Sequence, residues 1–518
     1  MAAGTSLSRL TGLGRTVLLA SVLGVTALGD AYNVANTVPN IVFQLAAGGV
    51  LSAAVVPLLA RSASEEERRD TAGVLLGTLT VVGIVCSLLL LVGAPFVVRL
   101  LTAGGRNLPD HDAVVRTGTA WLRTFAPQVA LYTVSVLATA IMAGRHRLTL
   151  GAFAPVSTNL LTVVGVLAFA AMVGGPVRID AVGKGPIAVL GWATTAGVAT
   201  MALVQLWGAV RAEPGMRPRM ALRHPAIRQL RRVGGWVLLY VAVNQLGLAA
   251  VVVLAGTVEG GVSAYQWAFA LMQLPYAIVA VSVVSAAFPR IADAAAQRPD
   301  VTTEVARPLR RMLFLLLPAA MGLAVLALPA ARTVVGRSGS ALVAAAIGGF
   351  ALSLVPFSMY QLLTRTSYAF QDTRTPALVN IALNAVTVGW GATVILVVDS
   401  GAGRLAGLAL GDAAAYTVGC LLLRRRLVAG GTLRAHELLS TSLRRSLLAT
   451  GAMGLLLAGV LRLVGVPQSQ TSAAVTTLVL AGVGVGSYAA LSQLLRVREF
   501  GELFNFGRAR GPRSQPAG

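Results

Sequence analysis

Apolar runs of about twenty residues, the length a helix needs to cross a bilayer, alternate along this chain with short polar turns. They fall at 10–29, 31–59, 72–100, 114–143, 149–173, 185–210, 233–256, 263–288, 312–331, 341–364, 376–398, 405–423, 446–466 and 471–495. The pattern predicts an all-α polytopic membrane protein of about 14 transmembrane helices. The second run is unlike the others. Residues 29–62, GDAYNVANTVPNIVFQLAAGGVLSAAVVPLLARS, are apolar enough to span, yet they hold Asp30, several asparagines, a helix-breaking Pro39 and the pair Gly48 and Gly49. A lipid-facing anchor has no use for such groups, whereas a helix lining a water-filled path between two moving halves does. The first run leads into the Asp30 turn and not into an A-x-A site, so no cleaved signal peptide is expected.

Charge gives the segments an orientation. With the N-terminus in the cytoplasm, 32 of the 42 basic residues fall on cytoplasmic segments and nine on the opposite side, with Arg123 inside a span. That bias follows the positive-inside rule along the whole chain and places both termini in the cytoplasm. The 518 residues are 56% hydrophobic and only 12% charged, far from the quarter or so expected of a soluble protein. A net charge of +23 invites a nucleic-acid reading, but the arginines sit in short loops between spans and form no soluble basic face. The basic loops at 211–232 and 424–445 are accounted for by topology, or else draw anionic lipid headgroups to the cytoplasmic entrance. Lys184 is the only lysine, a usage that reads as a GC-rich genome such as an actinobacterium's. Cys86 and Cys420 both lie in apolar runs and read as small core residues. No HExxH, CxxC, Walker A or GxSxG pattern is present, so neither an enzyme nor an ATP-driven pump is expected.

The second half of the chain echoes the first. Ser52-Ala-Ala-Val-Val-Pro57 closes span two as Ser285-Ala-Ala-Phe-Pro289 closes span eight, and Pro39 and Pro275 precede them. Pro155 with Asn159 likewise resembles Pro376 with Asn380 in spans five and eleven. An offset of six spans is even, so the copies keep one orientation about an axis along the membrane normal. The expected organisation is an N-lobe at 1–222, a C-lobe at 223–427, two added spans at 428–495 and a basic cytoplasmic tail at 496–518. Two parallel lobes suit alternating access; a channel would show a repeated filter-like loop, and none is visible.

Asp30-Ala-Tyr, Pro39-Asn40 and Gly49-x-x-Ser52-x-Ala54-x-x-Pro57 resemble the second-helix signature of the MurJ (MviN) lipid II flippases of the MOP superfamily. Ser8-Arg9-Leu-Thr-Gly12-Leu-Gly-Arg15 is similar to their first helix, and Tyr368-Ala-Phe-Gln-Asp372-Thr-Arg374-Thr-Pro376 to their YA-x-x-DT-x-TP turn. The resemblance runs over essentially the whole chain. It implies transport of an undecaprenyl-diphosphate-linked cell-wall precursor from the inner to the outer leaflet, driven by ion gradients or membrane potential. It also implies cell-wall synthesis proteins as partners. The chain departs from the family at Phe43, where an arginine is usual, at Gln44, often basic, and at Gly48, usually acidic. Phe269, Ala270 and Gln273 stand where the family has an Asp-Arg pair and a nearby Glu. The implied cavity is therefore poor in charge.

Within this frame the substrate-binding candidates are Arg9, Arg15 and Asn40, since arginine forks pair well with phosphate oxygens. Snorkelling to the interface is the other account of Arg15, and topology alone that of Arg9. The gating candidates are Asp30, Pro39 and Gly49; alternatively Asp30 is an N-cap of span two, and the proline and glycines permit bending and close packing. Asn380 and Asn384 share a face of span eleven at i,i+4. The family has a sodium site on this helix, with an Asp where Asn384 stands. With Asn244 and the intramembrane carboxylate of Asp412 they are the candidates for Na+ or H+ coupling, against plain interhelical hydrogen bonding. Two other functions remain open: export of another polyprenyl-linked glycan or amphiphile, and a non-transporting cell-wall scaffold.

Overall fold

The computed structural model describes residues 2–45, 55, 58–59, 64–145, 149–175, 178–233, 235–434 and 441–504. Gly48 and Gly49 lie outside the described residues. Those described form helices joined by short turns and contain no strand. In chain order the helices used below are α1 (Ala2–Leu23), α2 (Ala27–Leu45), α3 (Glu65–Leu101), α4 (His111–Phe125), α5 (Gln128–Gly144), α6 (Pro155–Val173), α7 (Lys184–Ala212) and α8 (Pro225–Val233). They continue with α9 (Gly235–Ala255), α10 (Gly261–Pro275), α11 (Val281–Gln297), α12 (Thr302–Val325), α13 (Ala327–Val335) and α14 (Ser340–Ala369). The last five are α15 (Arg374–Val397), α16 (Gly401–Ala429), α17 (Thr441–Val464), α18 (Gln470–Leu494) and α19 (Arg498–Phe504).

Among the described residues, twelve helical stretches are long and apolar enough to cross a membrane. α1 and α2 are not among them, and the expected count of fourteen needs both. Arg9 and Arg15 dilute the apolar character of α1, and α2 carries Asp30 and three asparagines and is described only as far as Leu45. Helix ends depart from the apolar runs in both directions. α12 begins at Thr302, ahead of the run at 312–331, and stops at Val325; α13 resumes after Leu326. The pattern marks the lipid-crossing part of a helix and not its hydrogen-bonded length. α3 makes the same point. Its 37 residues reach about 55 Å against a hydrocarbon thickness of about 30 Å. The surplus is its polar first turns, where Ser64 caps the Glu67 N–H and Glu65, Glu66 and Glu67 complement the helix dipole.

Two compact units result: residues 1–267 with 380–405, and residues 268–379 with 406–518. These follow packing, and so cut the chain differently from the sequence repeat. In the first unit, Trp121 and Phe125 of α4 are fully buried, and the Tyr32 ring meets both edge-on at 5.4 and 5.6 Å. At the other end of this unit Glu213, buried just past the C-terminus of α7, is gripped by Arg145 through contacts of 2.8 and 3.0 Å, with Arg68 Nε also at 2.8 Å. A carboxylate at the negative end of a helix dipole needs such partners. From there the chain runs back along α3. Arg219 donates its N–H to the Gly73 carbonyl, and its side chain pairs with Asp70 at 2.7 Å. A Cβ on Gly73 would lie 2.3 Å from the Arg217 carbonyl, and one on Gly77 2.5 Å from the Arg219 nitrogen, so glycine is what admits this strap.

In the second unit Phe314, Met453, Leu457 and Tyr488 form a core joining α12, α17 and α18, and the Tyr488 hydroxyl donates to the Phe314 carbonyl at 2.8 Å. Outer faces are apolar, as contact with lipid requires: Val92 and Phe96 on α3, Leu455 and Leu463 on α17, Leu478 and Val485 on α18. Cys420 is buried and donates to the Pro356 carbonyl, but Cys86 is exposed on the outward face of α3 and is not a core residue.

Candidate functional site

The polar residues of α2 find partners on α10. Asp30 Oδ1 accepts the backbone N–H of Ser263 at 2.8 Å, Asn33 Nδ2 donates to Ser263 Oγ at 3.0 Å, and Gln266 Nε2 donates to Thr37 Oγ1 at 3.0 Å. Residues 30, 33 and 37 lie on one helical face and 263 and 266 are one turn apart, so the two helices meet along a seam of hydrogen bonds. Asp30 and Asn33 are buried within it. This corrects the reading of Asp30 as an N-cap of its own helix. It sits inside the first turn of α2, with its N–H bonded to the Thr26 carbonyl, and its carboxylate caps the start of α10 instead. Free N–H groups at a helix start are a matched site for a buried anion. Close packing allows it: a Cβ on Gly29 would lie 2.8 Å from Ser263 Oγ, and Gly260, at φ +72°, turns the chain into α10 against Val25. A cavity of about 30 Å³, room for roughly one water, lies beside Asp30 and is also lined by Asp110, His111 and Glu259.

Pro39 lies inside α2 and lacks the N–H that would close on the Ala35 carbonyl. One residue later Asn40 Nδ2 donates to the Asn36 carbonyl at 2.8 Å, so its amide nitrogen supports the weakened turn. Phe43 packs its ring against Tyr132 with centroids 4.7 Å apart.

On α1, Asn159 of α6 donates to the Ser8 carbonyl at 3.0 Å and to Thr11 Oγ1 at 2.9 Å, fixing the turn that leads to Arg15. Arg15 is half-buried, its guanidinium near enough to Tyr32 and Tyr132 to act on both electrostatically. Its Nε is buried without a hydrogen-bond partner among the described residues. A guanidinium nitrogen held dry and unpaired is costly unless an anion completes it. Arg9 is exposed.

The three asparagines come together. Asn380 Nδ2 donates to the Tyr240 carbonyl of α9 at 3.0 Å, while Asn384 Nδ2 donates to the Asn380 carbonyl at 2.9 Å and faces Asn244 Oδ1 at 3.4 Å. A Cβ on Gly247 would lie 1.8 Å from Asn384 Oδ1, so glycine gives the amide its place. The cluster offers amide oxygens and no carboxylate, and Asp412, half-buried on α16, belongs to the second unit. Among the described residues no group of three or more His, Cys, Asp or Glu could hold a metal ion. Asn159 and Asn380, paired by the repeat, do the same work: each donates its amide to a backbone carbonyl four spans earlier in the chain. Ser263 and Gln266 escaped the sequence reading. Their signal was polar residues at helical spacing in an apolar run, matching the spacing in span two.

A sequence model of the lipid II flippase MurJ family matches residues 19–477. The chain is 28% identical over 395 residues to the lipid II flippase MurJ of Burkholderia cenocepacia, covering 74% of this chain and 75% of that protein. It is 25% identical over 515 residues to a probable lipid II flippase MurJ of Thermotoga maritima, covering 97% of each. In three dimensions it is similar to a lipid II flippase MurJ in an inward closed conformation, with a TM-score of 0.75 and 18% identity over 98% of this chain and 99% of that one. It is also similar to an inward-facing MATE-family multidrug transporter of the MOP superfamily, with a TM-score of 0.67 and 15% identity over 82% of this chain and 95% of that one.

Proposed function

This chain belongs to the lipid II flippase MurJ family, and on that premise we propose that it carries lipid II from the inner to the outer leaflet by alternating access. The buried, unpartnered Nε of Arg15 carries the proposal, because a dianionic diphosphate supplies what that nitrogen lacks. Arg9 and the amide of Asn40 are further contacts for the headgroup. The hydrogen-bonded seam between α2 and α10 is the outer gate in its closed state, held by Asp30 and bent open at Pro39; Gly49, the third gating candidate, lies outside the described residues. The shared use of Asn159 and Asn380 supports two equivalent six-helix lobes at 1–222 and 223–427. Fourteen spans are expected from the apolar runs, both termini in the cytoplasm from the charge bias, and a bacterial plasma membrane from the family. Na+ or H+ coupling is assigned to Asn244, Asn380, Asn384 and Asp412, and cell-wall synthesis proteins are the expected partners.

The test is complementation of cells depleted of their own lipid II flippase. Wild-type chain restores growth and Arg15→Ala loses it, whereas rescue by Arg15→Ala at normal membrane levels removes the phosphate role. A second reading, export of another polyprenyl-linked glycan or amphiphile, is favoured by the Phe43–Tyr132 pair where a cation is usual. It predicts no rescue by a chain that inserts correctly.

A further inference from the structure

A pocket of about 280 Å³ lies wholly within the second compact unit, between the π-helical turn Tyr276–Ala280, α11 and α14. Two prolines shape it. Pro275 has no N–H to close on the Leu271 carbonyl, and the chain after it winds through one wide turn, a device that recurs at functional sites. The Tyr276 ring at the start of that turn meets Phe357 of α14 with centroids 4.6 Å apart. Further on, the Ser285-Ala-Ala-Phe-Pro289 motif of the repeat brings both its serine and its proline to the lining. Pro289 leaves the Ser285 carbonyl without its usual helical donor.

The lining has a definite chemistry. Ser285, Gln361 and Arg365 supply a hydroxyl, an amide and a guanidinium, and none of these side chains has a hydrogen-bond or ion-pair partner among the described residues. Gln361 and Arg365 are one turn apart on α14 and share a face. No acidic side chain among the described residues lines the pocket, and Val281, Val284 and Phe288 make its apolar wall. One guanidinium matches a monoanion, and a carboxylate accepts its fork bidentately. A dianionic diphosphate asks for more than one cation. Sugar hydroxyls set against the apolar wall would lose their hydrogen bonds to water, whereas methyl groups gain by burial there. Arg365 lies four residues before the end of α14, about 6 Å along the axis. That end faces the cytoplasm by the charge bias, the side on which lipid II is loaded.

On the flippase reading above, on which this rests, we propose that the pocket takes the carboxylate end of the peptide carried by lipid II. Arg365 holds the carboxylate, Gln361 and Ser285 bond the last peptide group, and the terminal alanine methyls lie against Val281, Val284 and Phe288. The volume falls just below that of pockets for drug-sized ligands, with room for a dipeptide end and none for a disaccharide. The peptide is a different part of the cargo from the diphosphate assigned to Arg15.

The experiment titrates the purified full-length chain in neutral detergent with lipid II, with lipid II whose peptide ends in a carboxamide, and with undecaprenyl diphosphate, which has no peptide. Bound lipid is read by native mass spectrometry. Lipid II should bind about tenfold more tightly than its carboxamide, and undecaprenyl diphosphate no better than the carboxamide. Arg365→Gln should weaken lipid II to the level of the carboxamide and so erase the preference. Ser285→Leu, which fills the pocket and keeps its charge, should weaken lipid II as well and decides the matter if Arg365→Gln does not fold. Equal binding of lipid II and either of the other two lipids, or a preference that survives in the folded variants, would overturn the peptide site and leave the flippase reading standing. Binding of none of the three would overturn both.

Discussion

Single residues in this molecule act through what they leave no room for. Asp30 is buried, and its oxygen is the acceptor for the Ser263 N–H. Asp30→Ala leaves that donor unpaired and should cost about 1–3 kcal/mol, while Asp30→Asn keeps an acceptor in place and should cost clearly less. Thermal melting of both purified variants checks the order; equal losses would show that charge, and not hydrogen bonding, is what the site needs. Gly247 is the mirror case, since its missing Cβ is the space that Asn384 fills. Gly247→Ala should destabilise by about 1–3 kcal/mol through overpacking. Asn384→Ala in the same chain should return part of that loss, and a double-mutant cycle on melting temperatures measures the coupling. Much of this was unreadable beforehand. The sequence exposes Asn380 and Asn384 as a helical pair, but which glycine faces them depends on how α9 and α15 pack.

Elements are joined by short polar contacts as much as by apolar faces. The turn before α12 is tied to the turn after α16. Asp300 accepts from the Thr302 N–H and hydroxyl at 2.9 and 2.6 Å and from Arg434 Nε at 2.8 Å, and Val301 donates to the Thr432 carbonyl. The Thr302 hydroxyl and N–H, with Arg434 beside them, hold the Asp300 carboxyl below its ordinary value. A lowered folded-state pKa stabilises fully above the unfolded value of about 3.9, and that contribution disappears as pH falls through the lower folded value. Asp300→Asn should therefore melt below wild type at neutral pH, and the gap should close as the sample is acidified through that range. A gap independent of pH would mean that the carboxylate charge plays no part. Element existence was legible from apolar runs, and element ends were not, because helices such as α3 and α12 carry on into polar sequence that hydropathy counts as loop. Likewise Cys86 reads as core from its neighbours and is exposed, since a membrane helix is apolar on its outer face as well as its inner one.

For the molecule as a whole, the proposed gate is the seam between α2 and α10. Asn33 and Ser263 are joined by a 3.0 Å hydrogen bond, which puts cysteines at these two positions within reach of a short, reducible thiol-to-thiol crosslinker. Crosslinking the Asn33→Cys, Ser263→Cys double variant should abolish rescue in the complementation assay, and cleaving the linker should restore it. Rescue that persists with the crosslink formed would mean that this seam need not open. The signature that marks α2 as unusual was plain in the sequence, and so was the family. The partner that satisfies its polar groups was not, because Ser263 and Gln266 lie over two hundred residues away and only folding brings them to Asp30, Asn33 and Thr37.

The Phe43–Tyr132 pair, its rings tilted at 45°, bears on selective inhibition. Where the family resemblance sets an arginine, an acidic group on a compound would meet an aromatic pair here, and a flat ring is what would gain contact. Antibacterial chemistry aimed at this chain would start from a different pharmacophore.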